Sequence, residues 1–129
     1  LKSEANTLGV TNRLTFIGFK ENVYEALSGA DIFVLPSRSE GHPLGLIEAA
    51  SIGLPSLVSN IPELREFFND DEVVYFNPDS TVDFGQALEI CLSKYSFYAH
   101  NIRLKYNKDY TATIMYQNYL VLYEELINK

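Results

Sequence analysis

Residues Leu35-Pro36-Ser37-Arg38-Ser39-Glu40-Gly41-His42-Pro43-Leu44-Gly45-Leu46-Ile47-Glu48-Ala49-Ala50 read as three pieces in a row. A buried strand runs out of apolar residues, a short polar loop follows, and a helix begins at a proline. Two carboxylates flank the turn, Glu40 in the loop and Glu48 inside the helix, with seven residues between them. A strand-to-helix turn of this kind aims free backbone N–H groups at one point, and the start of the helix adds partial positive charge there. Such a corner favours a phosphate or another anion. The neighbouring carboxylates can accept hydrogen bonds from hydroxyls. An anion and several hydroxyls on one ligand describe a nucleotide sugar.

The 129 residues suffice for one domain, and an apolar fraction of 47% allows a core without disulfides or metal. Cys91 is the single cysteine, so no internal bridge is available; it sits in an apolar helical pattern and reads as a small buried hydrophobe. The net charge of −7 argues against nucleic acid as a partner, because binding a phosphate backbone needs a basic surface. No apolar run reaches the roughly 18 residues of a membrane span. No signal peptide is visible, and the first residues, Leu1 to Ala5, read as the middle of a helix without an initiator Met. That start implies a piece of a longer chain.

The remaining chain alternates strands and helices. Residues 2–8 read as a helix closed by Gly9, and Leu14-Thr15-Phe16-Ile17 as a short strand ended by Gly18. Asn22 is placed to cap a helix over 23–27. Residues 31–36 form a nearly continuous apolar strand, as in sheets covered on both faces. Pro43 suits the first position of a helix reaching Ile52, which Gly53 ends. Residues 55–59 and 73–76 are further strands, with a short helix at 62–68 between them. Ser80 or Thr81 caps a helix that carries Phe84, Leu88, Cys91 and Leu92 inward. Helices at about 96–107 and 110–127 follow, the second with Ile114, Tyr119, Leu122, Tyr123 and Leu126 along one stripe. This order implies an α/β fold, an open parallel sheet with right-handed crossovers and flanking helices. In such sheets ligands bind beyond the carboxyl ends of the strands, where Glu40 to Leu44 lie.

Phe16-Ile17-Gly18, Ala30-Asp31-Ile32-Phe33-Val34-Leu35-Pro36-Ser37, Glu40 to Ala49 and Gly53-Leu54-Pro55 follow one another at spacings that resemble a known family. The chain looks like the carboxy-terminal, donor-binding half of a retaining GT-B glycosyltransferase of the glycosyl transferases group 1 family. The resemblance runs from about residue 7 to about residue 123. It implies a Rossmann-like domain spanning 1–129, an incomplete GT-B carboxy-terminal domain. It also implies that helices 96–127 pack toward an absent amino-terminal domain. Two strands that the family places between 14–17 and 31–36 are absent, so 14–17 is expected to pair directly with 31–36 or with a sheet edge of another copy.

The same resemblance implies roles. Glu48 would accept hydrogen bonds from the ribose hydroxyls. Glu40 would act at the reacting end, holding a donor-sugar hydroxyl or the backbone near the reacting carbon. Gly41, His42, Pro43, Leu44 and Gly45 would line the donor, with the backbone N–H groups of His42 through Gly45 touching sugar hydroxyls and diphosphate. Gly18, Phe19 and Lys20 would lie against the base. No cofactor and no metal are implied; the helix start would stabilise charge on the departing nucleoside diphosphate. The implied partners are a nucleotide sugar and, through the absent domain, a saccharide or lipid-linked acceptor. The intact enzyme would be cytoplasmic with peripheral membrane association, serving surface polysaccharide or glycolipid synthesis. The piece alone would be inactive and would self-associate through open sheet edges. Two alternatives stand beside this one: a GT-B sugar-nucleotide epimerase, and a non-catalytic α/β interaction module.

Overall fold

The computed structural model describes residues 1–128. Helix α1 spans Lys2–Thr7, and Gly9 ends it at φ 67°, its N–H donating to Asn6 O (3.1 Å) while Val10 N–H donates to Ala5 O (3.0 Å). A 3-10 turn at Thr11–Arg13 follows. Residues 14–17, expected as a strand, form none. Leu14, Phe16 and Ile17 are 49%, 46% and 54% exposed, and no ladder hydrogen bond reaches them. An extended segment needs a neighbouring strand to take up its N–H and C=O groups, and none lies alongside. Direct pairing with 31–36 is thereby overturned.

Helix α2 is Val23–Leu27 with Asn22 at its N-cap, though the Asn22 side chain accepts no capping bond. Three parallel strands make the sheet: β1 (Phe33–Leu35), β2 (Ser56–Ser59) and β3 (Val74–Phe76), in that order. Phe33 faces Ser56, and Leu57 faces Val74. The central strand β2 is buried throughout. Strand β1 is an edge: Val34 is partly exposed, so the cover on both faces expected for 31–36 is incomplete.

Between β1 and β2 lies α3 (Leu44–Ser51), which buries Leu46, Ala49 and Ala50. Pro43 stands at the N-cap with φ −80° and ψ 65°, one residue before the position expected of it. Gly53 closes α3 at φ 71°. After β2 comes the single turn α4 (Pro62–Arg65), and after β3 comes α5 (Thr81–Ser93). Ser80 Oγ caps α5 by accepting from Asp83 N–H (3.1 Å). Helix α5 buries Ala87 and Cys91, with Phe84 and Leu88 packed beside them; Leu92, expected inward, is 54% exposed. The phase of the helix rotates the buried face toward 87 and 91.

Alternate residues of β2 feed two cores. Val58 joins Leu46, Ala50, Leu64, Phe68, Val73 and Ile102 on one face. Leu57 joins Val74, Phe76, Ala87, Cys91 and Tyr98 on the other. Helix α6 (Tyr95–Asp109) serves both, through Ile102 and Tyr98. Helix α7 (Ala112–Ile127), capped by Thr111 Oγ, buries no residue. Its stripe is therefore an uncovered face: Tyr119, Leu122, Tyr123 and Leu126 are all exposed. No described helix is long and apolar enough to cross a membrane.

Candidate donor-binding site

The loop 36–43 leaves the carboxyl end of β1 and delivers the chain to α3. Among the described residues, no backbone hydrogen bond involves residues 36–41, so side chains hold this loop. Ser37 Oγ donates a short hydrogen bond to Glu40 Oε1, closing the loop on itself. Arg38 Nη2 forms an ion pair with Asp79 Oδ1 at 2.6 Å, joining the loop to the turn after β3. Glu40 is half-buried, whereas Arg38 and Asp79 are exposed.

The start of α3 sets out backbone donors. Leu46 and Ile47 N–H both donate to Pro43 O (3.0 and 3.1 Å), and Leu44 N–H donates to His42 O (2.8 Å). Pro43 has no N–H. Of the expected His42–Gly45 amides, Pro43 and Leu44 are therefore excluded as free donors. The amides of Gly41, His42 and Gly45 carry no intramolecular hydrogen bond among the described residues. Three unpaired N–H groups at a strand exit and helix start form a place where an oxyanion or sugar hydroxyl is held.

Gly45 also lets α3 approach the sheet, since a Cβ there would lie 3.4 Å from Phe33 Cζ. Gly41 is open, with nothing within 4 Å of a Cβ position. Glu48 is half-buried on α3, and no hydrogen bond or ion pair engages its carboxylate among the described residues; Ser51 Oγ bonds its carbonyl (2.6 Å) instead. Its carboxylate is thus uncommitted within the chain.

The His42 ring is exposed and packs edge-on against Phe67, with centroids 5.3 Å apart. With Leu44, Ile47, Asp109, Tyr110 and Tyr119 it lines a groove of about 460 Å³ between the start of α3 and the last two helices. Neither Glu40 nor Glu48 lines that groove. Gly18, at φ 64°, and Phe19, 91% exposed, lie in the irregular segment before α2. Lys20 lines a separate hollow with Ile17, Asn22, Glu25 and Ala26. Among the described residues, no hydrogen bond or ion pair joins 18–20 to the 40–48 corner.

Three contributors were not read from the sequence as parts of the site. Ser37 holds Glu40; its position three residues earlier in a tight loop is a signal that could have found it. Asp79 and the groove residues of α6 and α7 come from distant segments and carry no local signal. Among the described residues, no group of three His, Cys, Asp or Glu side chains is placed to hold a metal ion.

The fold is shared with known proteins. Residues 1–108 match the family described as Glycosyl transferases group 1. An Escherichia coli UDP-Gal:alpha-D-GlcNAc-diphosphoundecaprenol alpha-1,3-galactosyltransferase is 44% identical over 54 residues, which is 42% of this chain and 14% of that protein. A sucrose-phosphate synthase from Thermosynechococcus elongatus superposes with a TM-score of 0.86 at 22% identity, over 98% of this chain and 33% of that one. Anabaena HepE in complex with UDP superposes at 0.82 with 18% identity, over 95% of this chain and 35% of that one. The chain thus spans about a third or less of the length of each of these proteins. Its sheet is the open parallel, Rossmann-like sheet of a GT-B carboxy-terminal domain. With that sheet and a match running through both the strand exit and α3, this chain belongs to the glycosyl transferases group 1 family.

Proposed function

We propose that this chain forms the donor-binding half of a retaining glycosyltransferase that uses a nucleotide sugar. One observation carries the reading: along the strand exit and the start of α3, the amides of Gly41, His42 and Gly45 are unpaired among the described residues, and in the chain they fall between Glu40, held by Ser37, and Glu48, whose carboxylate is uncommitted. Amides suit the diphosphate and sugar oxygens, and carboxylates suit diols. Glu48 accepts from the ribose hydroxyls, and Glu40 orients the donor sugar near its reacting carbon. As the bond from sugar to diphosphate breaks, negative charge grows on the leaving phosphate oxygens. The amides and the start of α3 face that charge with no reorganisation, so they lower the barrier without a metal. The acceptor hydroxyl attacks from the face the diphosphate leaves, which preserves the anomeric configuration. Gly18, Phe19 and Lys20 lie against the base.

The acceptor, a saccharide or lipid-linked saccharide, is held by a part of the protein outside residues 1–129, against which α6 and α7 pack. A diphosphoundecaprenol acceptor in the name of the E. coli relative, and UDP bound in the HepE structure, support this choice of substrates. We place the enzyme at the cytoplasmic face of a membrane, peripherally bound, in surface polysaccharide or glycolipid synthesis. Residues 1–129 alone are then inactive, and the open edge of β1 offers them a route to self-association.

The test is calorimetric titration of the full-length protein with a panel of UDP-sugars, before and after Glu48→Ala. Loss of charge-assisted hydrogen bonds, each worth about 1.5–3 kcal/mol, weakens binding by about 10- to 100-fold. Unchanged affinity in the variant removes the assignment. The product's anomeric configuration, read by NMR, checks retention.

A further inference from the structure

The loop that presents Glu40 and the free amides is tied to the body of the protein by side chains: the His42 ring packs on Phe67 at its far end, and one ion pair leaves its middle. Among the described residues, no backbone hydrogen bond reaches 36–41, and the Ser37–Glu40 contact is internal to the loop. The bond that leaves the loop is Arg38 to Asp79, at 2.6 Å. Its two ends differ in stiffness. Asp79 stands in a turn that is fixed on both sides: its N–H donates to Asn77 Oδ1 (2.9 Å), and Asn77 N–H donates to Asp83 Oδ2 (2.5 Å). Asp83 in turn gives its own N–H to Ser80 Oγ (3.1 Å), so the start of α5 locks the turn. The ion pair spans from the exit of β1 to the exit of β3, past the end of β2 that lies between them. That is the side of an open sheet on which ligands bind.

We infer that Arg38 and Asp79 are positioning residues for the donor: their ion pair is a strap that ties the Glu40 loop to the rigid start of α5. An exposed ion pair adds little to global stability, because water screens it and two side chains must be ordered. Its effect here is local. It restricts a loop that has no backbone anchor of its own, and so keeps the free amides of Gly41 and His42 near the geometry that the donor needs. The strap touches neither the reacting atoms nor the sugar. It acts through Glu40 and the amides, and the inference rests on the donor-site reading above.

Two measurements on the full-length protein separate the strap from that reading. The first needs no ligand. Arg38 is itself a trypsin site, and an Arg38 side chain held by Asp79 in an anchored loop is cut slowly. Asp79→Asn frees it, and cleavage after Arg38 accelerates while the unfolding midpoint stays unchanged. Equal cleavage rates in the two proteins overturn the strap, whatever the donor site does. The second is UDP titration. Arg38→Ala and Asp79→Ala each weaken UDP binding by about fivefold, the double variant no further, and the exchanged pair Arg38→Asp with Asp79→Arg regains most of the loss. Faster cleavage with unchanged UDP affinity overturns the positioning role and leaves a mere surface contact. Should the parent protein bind no UDP or UDP-sugar, the donor-site reading fails first, and the cleavage rates still report on the strap.

Discussion

Two glycines separate folding from function at the level of single residues. Gly53 closes α3 at φ 71°, and a Cβ there would lie 3.1 Å from the carbonyl oxygen of Ala99. Backbone strain and a clash with α6 act together, so Gly53→Ala should cost about 2 kcal/mol of stability, read as a lower urea midpoint with an unchanged slope. Gly41 has ordinary φ and empty space around it. Gly41→Ala should leave the urea midpoint within about 0.5 kcal/mol of the parent; if the proposed donor site is right, it should also lower affinity for a UDP-sugar, because the methyl would then fill ligand space. Gly53 was readable as a helix stop from its place after an apolar helical run. The role of Asn22 was readable only in part. Its type suits an N-cap and it stands there, but its side chain accepts no bond, because residue type does not fix the rotamer. Arg38 shows the opposite limit: its partner Asp79 lies two strands away in the chain, and nothing local announces it.

The short helix α4 depends on contacts from other elements. Tyr75 on β3 donates its hydroxyl to Leu64 O (3.1 Å) and Phe68 O (2.8 Å), and Tyr110, after α6, donates to Phe67 O (2.8 Å). These phenols tie the end of α4 and the two residues just past it, Phe67 and Phe68, to β3 and to the end of α6, the single Tyr75 proton being shared between its two acceptors. Arg65 lies 3.8 Å from the centroid of the Tyr75 ring and binds Asp70 beside it. Burial pushes the Tyr75 hydroxyl up to about 12, with Arg65 opposing the shift, and burial likewise raises Tyr110 to about 12. Each folded value lies above the unfolded value of 10.0, so the contribution to stability is full below pH 10 and is lost as the pH rises through 12. A phenolate also has no proton to donate. Urea midpoints measured from pH 8 to 12 should fall at the alkaline end, and Tyr75→Phe with Tyr110→Phe should be less stable at pH 8 yet flatter above pH 10. Element types at 31–35, 44–51, 56–59 and 81–93 followed from apolar runs, caps and glycines, since those signals are local. The outward turn of Leu92 did not: the buried stripe runs through Phe84, Ala87, Leu88 and Cys91, and Leu92 lies about 100° round the helix from Cys91.

Across the whole molecule, the sequence order of strands and helices led correctly to an open parallel sheet, yet residues 14–17 are not part of it. Their β-branched and aromatic composition is suited to a strand, but composition cannot supply the neighbour that a strand requires. The strand exit, loop and helix start at residues 35–50 were legible because their signals sit in one stretch. The groove beside it was not, because it is assembled from α3 and the last two helices. Those helices differ sharply in support. Helix α6 contributes Tyr98 and Ile102 to two cores, whereas α7 contributes no buried residue. Hydrogen exchange on residues 1–129 alone should therefore show the amides of α7 exchanging much faster than those of α6 around Ile102, and protection of α7 should rise in the full-length protein; equal protection of both helices in the short chain would contradict this. An isolated helix of this length is marginal in water. With its tyrosines and leucines bare, α7 is the loosest hinge of residues 1–128: it is the part a protease would cut or a chaperone would grip first.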